Sequence, residues 1–132
     1  MKVAAMKLAA VAAGGALGAS LRYLIAAVTH EVLGHDFPYG TLMVNIIGSF
    51  IIGYLLVLLP EQEGGIPIVR LLLITGVLGG FTTYSAFSVE TLQLLQDGHL
   101  TKAGLNITMT LFFCFIAVWA GFLAARLIHG HA

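Results

Sequence analysis

The chain has 132 residues, 59% of them hydrophobic and 9% charged, and its six basic side chains balance its six acidic ones. A soluble domain carries charge on about a quarter of its residues, so this composition excludes one and indicates an integral membrane protein. Apolar runs at residues 3–28, 39–59, 67–96 and 103–128 are each long enough to cross a hydrocarbon core of ~30 Å as a helix. What lies between them is too short to hold a soluble catalytic domain. The single cysteine, Cys114, has no partner for an intrachain disulfide.

The first run opens with Lys2 and Lys7 ahead of an alanine-rich stretch, a pattern shared with secretory signals, but its apolar character continues through Ala27 and Val28. It is therefore read as a retained first span. Gly15, Gly18, Ala19 and Arg22 fall at i, i+3, i+4 and i+7, which places a stripe of small residues and an arginine on one helix face. Small residues let a neighbouring backbone come close, the usual basis of helix packing in lipid. Two readings of Arg22 stay open: it faces protein or a water-filled vestibule, or it snorkels to the headgroups.

Residues 29–38 read as a short polar connection. His30, Glu31, His35 and Asp36 within it match no rigid metal-ligand spacing, so they are expected to be solvated. In the second span Thr41, Asn45, Gly48 and Ser49 share a face at i, i+4, i+7 and i+8. An asparagine amide in hydrocarbon needs partners, so Asn45 either joins two helices or lines a path for water or an ion.

A second short loop carries Pro60, Glu61, Glu63 and Pro67, and the third span then reaches Gly-Val-Leu-Gly-Gly-Phe-Thr-Thr-Tyr-Ser-Ala-Phe-Ser-Val-Glu at 76–90. Each glycine weakens a helix by ~1 kcal/mol, and the hydroxyls compete for backbone carbonyls. The stretch is read as a helix broken near the bilayer midplane, around residues 79–83. Carbonyl oxygens freed there need protein, water or a cation to satisfy them, and a backbone cation site and a water-satisfied kink both fit. Tyr84 and Phe87 follow at i and i+3, as do Ser85 and Ser88; the aromatic pair suits either core packing or the presentation of electropositive ring edges to an anion. The fourth span repeats the polar pattern with Asn106, Thr110 and Cys114 at i, i+4 and i+8. These faces hold amides and hydroxyls, which can replace the water an anion loses without gripping it as a fixed positive charge would.

Three stretches together resemble the small fluoride channels known as Fluc or CrcB-like proteins: Gly-Gly-Ala-Leu-Gly-Ala-Ser-Leu-Arg-Tyr at 14–23, Gly-Thr-Leu-Met-Val-Asn-Ile-Ile-Gly-Ser-Phe at 40–50, and Gly-Gly-Phe-Thr-Thr-Tyr-Ser-Ala-Phe-Ser-Val-Glu at 79–90. The resemblance covers essentially the whole chain. It implies an all-α, four-span protein of the inner (plasma) membrane that assembles as an antiparallel, dual-topology homodimer with two fluoride pores and a structural sodium ion at its centre. By the same resemblance the backbone carbonyls of Gly79 and Thr82 from both subunits hold the sodium, and Asn45 is the pore amide. Phe87 lines the fluoride path, Arg22 stands near the pore entrance, and Ser85, Asn106 and Thr110 belong to its polar track. The implied activity is passive fluoride export that gives fluoride resistance, with no enzymatic chemistry and no nucleic-acid partner. Two positions depart from the family pattern: Tyr84 stands where phenylalanine is usual, adding a hydroxyl to the aromatic edge, and Ala86 where threonine is usual, removing one donor.

Charge placement is compatible with insertion in both orientations. Lys2, Lys7, Arg70 and Arg126 lie on one side and Arg22 and Lys102 on the other, a weak bias under the positive-inside rule. A rival from another class is a proton-coupled small multidrug exporter, also a four-span antiparallel dimer. It would need an embedded acid, typically in the first span, where this chain has none. Glu90, toward the end of the third span, is the only acid in the apolar runs. A haem-carrying subunit is disfavoured because all five histidines are expected in loops or at the C-terminus, where His-Gly-His-Ala reads as a solvated tail.

Overall fold

The computed structural model describes residues 2–61 and 65–130; Glu63 of the second loop and His131 of the tail lie outside them. Among the described residues four helical segments are long and apolar enough to cross a membrane: α1 (Lys2–Leu33), α2 (Tyr39–Leu58), a composite third span (Ile68–Gln96) and α6 (Leu100–His129). The helix ends differ from the hydrophobic boundaries. α1 continues through Thr29 and His30 and stops at Gly34, whose φ of 80° is left-handed and whose N–H donates to the His30 carbonyl at 2.9 Å. A helix ends where its backbone is capped, not where its side chains turn polar. His30 is accordingly a helical residue, a correction to the reading of all five histidines as lying in loops or at the C-terminus, whereas His129 ends α6 at the C-terminus as expected.

The third span is built in pieces. A short α3 (Ile68–Arg70) leads into a π-helical stretch over Leu71–Leu78, and α4 (Gly79–Phe81) follows. The backbone then leaves the helical region at Thr82 (φ −78°, ψ 155°) and Thr83 (φ −152°, ψ 117°) before α5 (Tyr84–Gln96) begins. α5 closes at Gly98: its N–H donates to Leu95 O and that of His99 to Leu94 O, the paired bonds of a Schellman turn. No residue type in Leu71–Leu78 announces the wider π winding.

Glycines bring the spans into backbone contact. A Cβ on Gly18 would lie 2.0 Å from the Val77 carbonyl oxygen, and one on Gly14 would lie 2.3 Å from that of Leu72. α1 thus rides directly on the π-helical stretch through Gly14 and Gly18, while the backbone of Gly15 and Ala19 lies against Gly80 and a Cβ on Gly15 itself would meet nothing within 4 Å. α2 and α6 cross reciprocally: a Cβ on Gly53 would meet Val118 O, and one on Gly121 would meet Phe50 O, both at 2.0 Å. The outward surface is apolar, with Phe115, Trp119 and Ile128 exposed, as lipid requires. At the C-terminal end of α2, Arg70 donates to the Leu59 carbonyl at 2.6 Å and to Glu61 at 3.1 Å, tying the second loop to the third span.

Candidate functional site at the break in the third span

Asn45 projects from the buried face of α2 onto the extended pair Thr82–Thr83. Its Nδ2 donates to the Thr83 carbonyl at 3.0 Å, and the Thr83 N–H donates back to its Oδ1 at 2.7 Å. The amide side chain therefore pairs with the interrupted backbone as a neighbouring strand would, satisfying two polar groups that lipid could not. Thr83 is also the N-cap of α5: its Oγ1 accepts from the Ala86 N–H at 3.2 Å and lies 3.2 Å from Ser85 Oγ. On the other side of the break the N–H and Oγ1 of Thr82 both donate to the Leu78 carbonyl, at 3.0 and 2.9 Å. Among the described residues none donates to the carbonyls of Gly79 and Thr82. The exposed face of Gly79 is bare, the nearest atom to a Cβ there being 3.8 Å away.

Beside this junction runs an open groove of about 430 Å³ whose lining includes Asn45, Ser49, Thr83, Phe87, Thr110 and Cys114. It is where the polar stripes of the second and fourth spans meet. The Oγ1 of Thr110 is buried there without a hydrogen-bond partner among the described residues. Phe87 is buried, whereas Tyr84 is 76% exposed; their rings stand 5.4 Å apart at 53°. The two aromatics, adjacent on one helix, thus have different surroundings. Tyr84 also borders the groove. Ser85 is exposed and engages Thr83, not the groove, and Arg22, partly buried on α1, borders no part of it.

Asn106 is set back from the groove. It is 1% exposed, and its Nδ2 donates to Thr91 Oγ1 at 2.9 Å, while Thr91 donates to the Phe87 carbonyl at 2.7 Å. The chain of bonds ties α6 to α5 at the backbone carbonyl of Phe87. Its Oδ1 is left buried without a partner among the described residues.

One turn along from Asn45 on α2, Thr41 Oγ1 donates to Glu90 Oε1 at 2.7 Å. Past this contact lies a second, smaller cavity of about 260 Å³ lined by His30, His35, Glu90, Gln93 and Asp97, among others. Sequence reasoning missed the roles of Thr83 and of the Thr41–Glu90 pair. A threonine just before a helical run is an N-cap signal and marks Thr83; nothing local marks the second pair.

Four apolar spans that turn neutral polar side chains toward a groove at an interrupted helix define a multi-pass membrane protein of the channel and transporter class. Within that class, the chain belongs to the CrcB-like family, whose model, described as "CrcB-like protein, Camphor Resistance (CrcB)", matches residues 9–122. A relative from Opitutus terrae named "Fluoride-specific ion channel FluC" is 46% identical over 118 residues, covering 87% of this chain and 89% of its own. Proteins of the same name from Geobacter sulfurreducens and Elusimicrobium minutum are 44% and 45% identical, covering 89% of this chain and 94% and 92% of their own.

Proposed function

We infer that this protein is a fluoride-selective ion channel that lets fluoride leave the cytoplasm passively and so confers fluoride resistance. Its activity is transport, not catalysis. The observation that carries the reading, together with relatives named fluoride-specific ion channels, is the groove at the break. A small anion stripped of water loses tens of kcal/mol of ideal solvation, which only a succession of donors can offset. The unpartnered hydroxyl of Thr110, the remaining N–H of Asn45 and the ring edge of Phe87 are such donors, and none carries a charge that would hold the ion in place.

The active unit on this reading is an antiparallel homodimer with dual topology, with two pores between its subunits. The openness of the groove to one side of the chain and the weak charge bias across the loops support it. The carbonyls of Gly79 and Thr82 suit a structural sodium ion: they are hard oxygen donors, bonded to none of the described residues, at the C-terminal end of the helical run Ile68–Phe81, where the dipole is negative. One chain offers too few such ligands for a closed shell, so a second copy would complete it. Sodium there would supply positive charge that holds the two breaks together. The exporter reading is not favoured, since Glu90 is engaged by Thr41 and the relatives are named channels.

The test is fluoride efflux from liposomes holding the purified protein, followed with a fluoride electrode, with chloride as the control anion. Fast fluoride efflux without chloride flux, impaired by Phe87→Ile, is expected. Absence of fluoride flux from folded protein would overturn the reading, and export of cationic drugs with Glu90→Gln as the control would be examined next.

A further inference from the structure

Glu90 lies one turn beyond Phe87 on α5, and Thr41 one turn before Asn45 on α2, so the contact between them stands at the end of the groove. The cavity past that contact is framed by two histidines from different elements: His30 on the last turn of α1 and His35 in the following loop, their rings 4.8 Å apart and tilted by 39°. We propose that His30 and His35 form a proton-dependent anion-recruiting site at this mouth of the path, so that acid on this side accelerates fluoride passage. The proposal rests on the channel reading.

Charge governs what this cavity admits, and His35 at its rim is solvent-exposed. α5 contributes Glu90 and Asp97 to the cavity lining, and α1 and the loop contribute the two rings. The surrounding charges are Glu31 and Asp36 beside the histidines, and Lys102 of α6, whose Nζ donates to the Asp36 carbonyl at 3.0 Å and pins the loop. With both imidazoles neutral, the lining is acidic and repels an arriving anion. Each proton taken up by the pair cancels one negative charge and adds a ring N–H donor. Glu90 Oε2 is buried with no hydrogen-bond partner among the described residues, and it gives a protonated ring a carboxylate to face. Histidine is the side chain whose ordinary titration range spans this change near neutral pH.

The experiment is fluoride efflux from liposomes carrying the full chain, with equal pH on both sides, at pH 7.5 and at pH 5.5. Protein-free liposomes measure the leak of neutral acid, which is subtracted. Wild type is expected to run roughly three- to tenfold faster at the lower pH, and the double substitution His30→Gln/His35→Gln to lose that increase. His35→Arg, with a fixed charge, is expected to be fast at both pH values, which separates charge from packing; His99→Gln, outside the cavity, keeps the wild-type response. A pH-independent wild-type rate, or a pH response that survives the double substitution, overturns the proposal while the channel reading stands. No fluoride flux at either pH overturns the channel reading, and the proposal with it.

Discussion

Thr110 carries a hydroxyl that the fold buries and leaves without a partner among the described residues. A buried donor in that state costs ~1–3 kcal/mol, so its presence opposes stability and needs another reason. Thr110→Val keeps the shape and removes the hydroxyl. The expected outcome is a protein as stable as wild type or more so by about 1 kcal/mol in thermal unfolding in detergent, with fluoride efflux reduced about tenfold. A loss of stability with unchanged flux would make Thr110 a packing residue.

Asn45 has the opposite character, since its amide both donates to and accepts from the backbone of Thr83. An ionised carboxylate at this position could accept from the Thr83 N–H but would face the Thr83 carbonyl with no proton to give. A protonated carboxyl could do both. Asn45→Asp is therefore expected to unfold at a lower temperature than wild type at pH 7.5, and to regain much of the difference as pH falls toward 5, the sign following from the proton it must bind to restore the pair. A flat pH dependence of the difference would argue against the paired geometry. Because this substitution disturbs the break itself, Thr110 and Phe87 are the cleaner probes of the path.

At the scale of elements, the spans are held by glycine contacts that chemistry can probe one Cβ at a time. Gly18→Ala places a methyl 2.0 Å from the Val77 carbonyl and 2.9 Å from the Phe81 nitrogen, both backbone atoms that cannot step aside. Its cost is expected at ~1–3 kcal/mol or above, from overpacking. Gly15→Ala, three residues away on the same helix, meets nothing within 4 Å. It should be neutral or stabilising by ~0.5–1 kcal/mol, through the better helix propensity of alanine. Thermal unfolding of the two variants side by side checks the contrast, and equal effects would place α1 in a different rotation about its axis.

That rotation marks how far the sequence was legible. Composition and run length suffice for four spans, because the hydrophobic requirement of a bilayer is long and uniform. A stripe of small residues shows that a face exists, but not which side-chain direction is closed: the Cβ positions of Gly14 and Gly18 run into the third span, whereas that of Gly15 is free although its backbone lies against Gly80. The same limit applies within the site. Asn45 and Thr110 stand out because amides and hydroxyls are conspicuous in apolar runs, whereas Thr83 as the partner of Asn45 and Glu90 as that of Thr41 are 38 and 49 residues distant and leave no local trace. The π winding of Leu71–Leu78 runs through mostly apolar side chains that carry no sign of it.

For the whole molecule, the proposed sodium ion and the proposed dimer are one claim. The candidate ligands are main-chain carbonyls, so no side-chain truncation removes them, and the ion itself has to be varied. A ligand that binds only the assembled state stabilises it by RT ln(1 + [L]/Kd), ~2.7 kcal/mol at one hundred times Kd. Replacing sodium with N-methylglucamine at matched ionic strength is therefore expected to lower the unfolding temperature in detergent and to shift the protein toward single chains on dilution, read by mass photometry. Thr82→Ser keeps both the carbonyl and the hydroxyl that donates to Leu78 and should retain the sodium response in full. Gly79→Val fits within the chain, where the nearest atom to its Cβ is 3.8 Å away, and should weaken the sodium response through a clash with a second copy closing on that face. Stability and assembly that are indifferent to sodium would leave the free carbonyls to water, and the break would then be a hydrated kink braced by Asn45.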